Sequence, residues 1–152
     1  MSSSCPGRWA VLRAQAERGS VLVEVVFLLV LLTIPVFYLV GTLGRLQAGA
    51  YAVSAAAREA GRAYVTAPDQ GSAPARAVTA AGLVHASHGF EGPELVIECA
   101  DPPCLQPGAQ VTFRTSLQVE LPLIPDFAAG VVPTTVEVTS SHVEVVDEFR
   151  EP

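Results

Sequence analysis

The sequence predicts an α+β fold, in which a long amino-terminal transmembrane helix continues into a small domain with a second helix and a three-stranded antiparallel sheet. Residues 20–44 form an apolar run of 25 residues with a single charge. Apolar residues then recur at spacings of three and four to about residue 66, which is typical of a helix. Beyond residue 89 the pattern changes to the alternation of apolar and polar residues that is typical of strands.

The apolar run Ser20–Gly44 is long enough to cross a membrane, because the hydrocarbon core requires about 20 helical residues. Three arginines lie in residues 1–19, whereas two, Arg45 and Arg58, follow within fifteen residues of the far end of the run. Positively charged flanks tend to remain in the cytoplasm. We therefore expect a single-pass membrane protein with a cytoplasmic amino terminus and an extracytoplasmic carboxyl-terminal domain.

Glu24 is the single charged residue of this run. A carboxylate in hydrocarbon costs about 2.5 to 3.5 kcal/mol on insertion scales, so that its presence calls for a partner or a function. The alternative is a carboxylate that reaches the cytoplasmic headgroups from the end of the helix.

Three interpretations of residues 1–50 are open. A bitopic membrane anchor explains the apolar run but not Glu24. A secretory signal peptide would be cleaved after the small residues Ala48-Gly49-Ala50, which would release a domain beginning at Tyr51, but its apolar core should be about 7 to 15 residues long. A leader peptide cleaved between Gly19 and Ser20, on the cytoplasmic side, explains both Gly19 and Glu24.

The stretch Glu17–Glu24, with the sequence ERGSVLVE, resembles the type IV pilin superfamily when it is taken together with the apolar helix. The resemblance is closest to the TadE-like pseudopilins of tight-adherence (Flp) pilus systems, and it extends through Gln47–Ala52 and Ala57–Ala63. It covers roughly residues 17–66. Two positions depart from the family pattern: Val25 stands where an aromatic residue is usual, and Pro35 comes later than the usual helix proline.

The resemblance implies a pilin-like fold and a minor pseudopilin that takes part in the assembly of a pilus or a related secretion machine. Its expected parts are a cytoplasmic leader at 1–19, a transmembrane helix at 20–44, an extramembrane continuation of the helix at 45–66, and an extracytoplasmic α+β domain at 67–152. The expected partners are the membrane, a prepilin peptidase, other pilins or pseudopilins, and the pilus assembly platform. A minor subunit is expected because the major Flp pilins are little more than the helix.

The resemblance also implies a role for Glu24 in assembly. Cleavage after Gly19 would create a positively charged α-amino group on Ser20. The amine of a neighbouring subunit could then pair with the Glu24 carboxylate, which would offset its desolvation and fix the axial stagger of the helices. We expect Glu24 to act as this registration charge.

The helix is predicted to continue past the membrane and to end at the turn-forming segment Ala67–Ser72, which contains Pro, Asp and Gly. One stripe of this helix is expected to pack: Leu46, Ala50, Val53, Ala57, Ala60 and Tyr64. A bend is expected at Pro35. A second helix is predicted from Pro74 to about Ala86, and one side of it is expected to carry Val78, Ala81, Gly82 and His85.

Three strands are predicted after residue 89. Alternation of apolar and polar residues marks the first around Leu95–Cys99 and the second, which is the most regular, at Val111–Leu121. In the third, Thr134–Val146, the valines change parity near Ser140-Ser141, so that a bulge or break is expected there. The connection Leu121–Phe127 is apolar and is expected to bury against the sheet or to contact another subunit.

Cys99 and Cys104 flank a tight turn, which would allow a disulfide if the domain lies outside the cytoplasm. The alternative is a zinc site in which His85 and His88 join the two cysteines. We expect the disulfide and no metal. Cys5 belongs to the leader and would be removed with it.

Charge and composition argue against several classes of protein. Removal of residues 1–19 takes the net charge from −6 to −8, which argues against nucleic-acid binding. All nine basic residues are arginines, so that neither lysine-linked sortase pili nor Schiff-base chemistry is expected. The sequence has no glycine-rich phosphate loop after a strand and no nucleophilic serine elbow, so that we expect no enzyme and no cofactor.

Overall fold

The computed structural model describes residues 8–92, 94–121 and 134–150, and its side chains are described from residue 21 onward. The helices are α1 (Arg8–Val65) and α2 (Ala73–Ser87). The strands are β1 (Glu94–Cys99), β2 (Gln110–Glu120) and β3 (Thr135–Val145). The chain divides into two compact units, Met1–Val40 and Gly41–Pro152. A long apolar helix, a second helix and an antiparallel sheet confirm the predicted α+β layout.

The first unit contains the amino-terminal part of α1. The helix is described from Arg8 onward, so that residues 8–19 of the expected leader are helical in the uncleaved chain. Residues 8–18 consist largely of alanine, leucine, arginine and glutamine, which are strong helix formers, so that the helix does not require the apolar run in order to form. Pro35 lies inside the helix, and the bend expected there stays a prediction.

In the second unit, the last turns of α1 lie against the sheet. Val53, Ala57, Ala60 and Tyr64 of the predicted stripe are buried, whereas Ala50 is exposed and Leu46 is only half-buried. The buried side of the helix also includes Gly49, Ala52, Ala56 and Gly61. Small residues dominate this side, so that the backbone of α1 approaches the sheet closely.

The sheet formed by the described residues has the order β1-β2-β3, and both strand pairs are antiparallel. The helices cover the face on which Val111, Phe113, Thr115, Leu117 and Val119 of β2 are buried. The Tyr64 ring meets the Phe113 ring edge to face, with centroids 5.4 Å apart. A two-layer packing of helices on one face of an antiparallel sheet follows, as the alternating pattern predicted.

The expectation of a bulge or break in β3 near Ser140-Ser141 is wrong. The pairing of β2 with β3 runs without interruption from Gln110 opposite Val145 to Glu120 opposite Thr135. The parity of the valines changes because Val143 and Val145 lie on the outer face, where they are 50% and 52% exposed. Their places on the helix-facing side are taken by His142 and Glu144, whose Nε2 and Oε2 atoms lie 2.9 Å apart.

Helix α2 presents alanines to the core. Its buried residues are Ala73, Ala77, Ala81 and His85. The prediction that Val78 lies on the buried side of α2 is wrong, since Val78 is 54% exposed. Gly82, predicted for the same side, is half-buried. The buried alanines allow α2 to lie close to α1 and β1, with which they share one hydrophobic cluster.

The connection between the helices is a turn built on Asp69. Its Oδ1 accepts hydrogen bonds of 2.9 Å from the main-chain N–H groups of Gly71 and Ser72, and its Oδ2 accepts one of 2.8 Å from the Ser72 hydroxyl. These bonds, led by that of the Ser72 hydroxyl, hold the pKa of Asp69 below its usual value. Residues 122–127 of the apolar connection between β2 and β3 lie outside the described residues, as does the side chain of Cys5.

Candidate functional site in the amino-terminal span

Helix α1 is, among the described residues, the one helix long and apolar enough to cross a membrane. Its apolar side chains from Val21 to Val40 are exposed within the isolated chain. These include Phe27, Leu32, Ile34, Phe37 and Leu39. A helix that is apolar on all sides and uncovered by its own chain requires a surrounding apolar medium, which a bilayer provides.

Glu24 is exposed among these apolar side chains, between Val23 and Val25. No other side chain that the structure describes forms an ion pair or hydrogen bond with its carboxylate. Within a single chain, therefore, the described residues supply no compensating charge for Glu24. A partner could come from residues 1–20, whose side chains lie outside the described set, from the headgroups or from another molecule.

Gly19 and Ser20 lie inside α1, at helical positions whose side chains are outside the described set. Ser20 is four residues before Glu24, which corresponds to about 6 Å along a helix axis. A helix beginning at Ser20 would leave its first four N–H groups without intrahelical partners, and its positive dipole end would lie close to the carboxylate. Cleavage there would therefore concentrate positive charge within one turn of Glu24.

The bond between Gly19 and Ser20 lies at a weak point of the helix. Glycine in a helix interior is less favourable than alanine by about 0.5–1 kcal/mol, and serine is a weaker helix former than the neighbouring leucine, arginine and alanine residues. Local unwinding, which a protease needs in order to bind the chain in an extended form, costs least at such a position. Cleavage at this bond stays a prediction.

The second unit carries the cysteine pair. Cys99, the last residue of β1, is joined to Cys104 by a disulfide with Cα atoms 5.6 Å apart. The loop that follows is attached to the end of α1 through Gln70. Leu105 donates its main-chain N–H to Gln70 Oε1 at 3.0 Å, and Gln70 donates through Nε2 to the Tyr64 hydroxyl at 3.0 Å. The disulfide therefore closes a loop that braces the junction of helix and sheet.

His85 is fully buried between α2 and β2. Its Nε2 lies 3.5 Å from the Thr115 hydroxyl, and its Nδ1 has no hydrogen-bond partner in the described structure. Burial lowers the pKa of His85, and the neighbouring His88 lowers it further. No three histidine, cysteine or acidic side chains within the described ranges are grouped so that they could hold a metal ion.

No protein-family model matches this chain, and neither a curated protein nor a solved structure matches it. The resemblance to TadE-like pseudopilins therefore depends on the residues of 17–66 themselves. Its strongest element is the position of Glu24 relative to the bond between Gly19 and Ser20.

Proposed function

We propose that the protein is a minor, TadE-like pseudopilin, anchored in the cell membrane by α1 and processed by a prepilin peptidase between Gly19 and Ser20. In this role it takes part in the assembly of a Flp/tight-adherence pilus or a related secretion machine, with its α+β domain outside the cytoplasm. The observation that carries the proposal is the exposed Glu24 carboxylate, one helical turn from Ser20 in an otherwise apolar helix. Other pilins or pseudopilins and the assembly platform are its partners.

Assembly gives Glu24 a partner that the described side chains of a single chain do not supply. The new α-amino group on Ser20 of one subunit pairs with Glu24 of its neighbour, and this pair offsets the desolvation of both charges. The attraction is strong in hydrocarbon and is greatest where the two charges meet, so that it also favours one axial offset between adjacent helices. No catalytic group or cofactor is needed for this role.

Two other functions compete with this one. The first is a bitopic surface protein that keeps residues 1–19, and it leaves Glu24 without a function. The second is a domain released by signal peptidase, with Tyr51 as its first residue. The second is disfavoured by packing, because Leu46 and Ala48 pack against the cluster of Ala52, Leu117 and Val119, and cleavage after Ala50 would remove them from the domain.

The proposal is tested with variants that change the charge of the span and leave its size intact. Glu24→Gln retains the shape and a polar group but cannot pair with an amine. Leu28→Gln, one turn further along α1, is the matched control, because it adds an amide to the span and leaves Glu24 in place. Both variants should insert in the membrane, which fractionation with carbonate extraction measures.

The two variants should differ in assembly. Glu24→Gln should lose most of its co-purification with the other pilins of the same system, whereas Leu28→Gln should retain it. Co-purification of Glu24→Gln at the level of the natural chain would contradict the registration role. Loss with both variants would show that polarity of the span, rather than charge pairing, controls assembly.

A further inference from the structure

The second unit has one end that carries both Arg45 and the end of the β2–β3 hairpin at which the two strands are connected. Strand β2 runs antiparallel to the end of α1, because Phe113 contacts Tyr64 and Val119 lies against Gly49. The distance between these two contacts is similar along both elements. It is about 20 Å for the six residues from Phe113 to Val119 of the strand, and about 22 Å for the fifteen residues from Gly49 to Tyr64 of the helix. Each residue beyond Val119 therefore lies closer to the start of this unit.

The ends of the hairpin connection reach the level of Arg45. Leu121 is about 7 Å beyond Val119 along the strand direction, and Arg45 is about 6 Å before Gly49 along the helix. Leu121 donates its main-chain N–H to the Thr134 carbonyl at 2.9 Å, which fixes both ends of the connection at this place. A cleft at the same end is lined by residues that include Arg45, Phe90, Gln118 and Glu120.

Arg45 is the first residue after the apolar run 20–44, so that this end of the unit is the one at which the chain leaves the membrane. Its guanidinium lies 5.4 Å from the centroid of the Phe90 ring. A guanidinium stacked in this way keeps the N–H groups in its plane free to bind phosphate oxygens. The sequence between Leu121 and Thr134 contains one charge in twelve residues, which favours an apolar neighbour over water.

We propose that the end of the domain defined by Arg45, Leu121 and Thr134 rests on the headgroup layer of the membrane that α1 spans, with Arg45 at the level of the lipid phosphates. This second membrane contact restricts the tilt of the domain. It depends on membrane anchoring through α1 and not on a role in a pilus, so that it can fail while the proposed function holds.

The test places tryptophan at the two hairpin ends in the full chain, reconstituted in phosphatidylcholine vesicles whose lipids carry a nitroxide near the glycerol end of one acyl chain. Trp9→Phe removes the native tryptophan. Leu121→Trp and Thr134→Trp then report on the proposed contact, and Thr134 is exposed, so that its replacement leaves the core intact. Gln110→Trp is the matched control, because Gln110 is exposed at the far end of β2, about 36 Å from Leu121.

Tryptophan at 121 and 134 should lose a large part of its emission to the nitroxide lipids and should be protected from iodide in the aqueous phase. Tryptophan at 110 should show the reverse. Equal, weak lipid quenching at all three positions would overturn the proposal. Protection from both quenchers at 121 and 134 would also overturn it, since this end would then be covered by protein, such as a second copy of the chain.

Discussion

Arg150 connects the carboxyl-terminal tail to the end of α1. Its guanidinium donates a hydrogen bond of 2.7 Å to the main-chain oxygen of Val65, the last residue of the helix, and a second bond to the main-chain oxygen of Ala67. The last carbonyls of a helix have no intrahelical donors and carry partial negative charge. Arg150 therefore supplies the missing donors from 85 residues away in sequence.

Replacement of Arg150 by glutamine should destabilise the domain by about 1 to 2 kcal/mol, since hydrogen bonds to charged groups contribute about 1.5–3 kcal/mol and this side chain is only partly buried. Thermal unfolding in detergent, followed by near-ultraviolet circular dichroism, measures the change. Arg58→Gln is the control, because Arg58 is exposed on α1, and its effect should stay within about 0.5 kcal/mol. Equal effects of the two variants would contradict the capping role.

A side chain at Gly49 should damage the contact between α1 and β2. A Cβ atom at Gly49 would lie 2.5 Å from Val119 Cγ2, which is too close for two carbon atoms. Gly49→Ala should therefore destabilise the domain by about 1–3 kcal/mol, although alanine is the better helix former. Gly44→Ala, whose Cβ would meet nothing within 4 Å, should be neutral or slightly stabilising.

The clash at Gly49 is specific to one partner. In the double variant Gly49→Ala, Val119→Ala, the methyl group that causes the clash is absent, and much of the loss caused by the alanine at 49 should be recovered. A double-mutant cycle measures this coupling. Strict additivity of the two changes would show that Gly49 and Val119 do not meet as the structure places them.

The domain should lose stability in mild acid through His85. The unfolded chain takes up a proton on this residue near pH 6.5, whereas burial keeps the pKa of His85 in the folded domain lower. Between these two pKa values the unfolded state binds more protons, so that stability falls as the pH decreases from about 6.5 and levels off below the folded pKa. Unfolding midpoints should be measured from neutral to acidic pH.

His85→Gln should reduce this pH dependence, because glutamine does not titrate. His142→Gln is the matched control, since His142 lies partly exposed at the edge of the sheet. An unchanged pH profile in His85→Gln would show that His85 does not cause the acid sensitivity.

The cysteines give a prediction that also reports on processing. With Cys99 and Cys104 joined, the full chain should have one titratable thiol, Cys5, and the chain beginning at Ser20 should have none. Reduction should destabilise the domain by about 2 kcal/mol, the value that loop closure predicts for a short loop. Thiol titration under denaturing conditions measures the first prediction, and thermal unfolding with and without reductant measures the second. More than one free thiol in the full chain would contradict the pairing.

Local patterns in the sequence were sufficient for the order and type of the elements. The alternation in Val111–Leu121 identified β2 because every second residue is buried there. The residues at spacings of three and four correctly placed Val53, Ala57, Ala60 and Tyr64 on the packed side of α1, whereas Ala50 is exposed. The turn between Cys99 and Cys104 indicated the disulfide.

Other features depend on tertiary packing and could not be read from a local pattern. Valine occurs on either face of a strand, so that the change of parity at Val143 and Val145 suggested a bulge. In the structure the pairing is unbroken and these two valines lie on the exposed face. The close approach of Gly49 to Val119 was missed because it joins a helix to a distant strand, although the position of Gly49 among the small residues of α1 was a signal. The bonds from Arg150 join residues too distant in sequence for any local pattern to indicate them.

The most direct test is the amino-terminal residue of the mature protein, isolated from its own host and determined by sequencing and intact mass. We expect Ser20, with residues 1–19 removed, and we expect Gly19→Val to keep them attached while Gly44→Val does not. Met1 or Ser2 as the mature amino terminus would mean that no new amine faces Glu24, and Tyr51 would mean that the domain is released from the membrane. Either result would contradict the account.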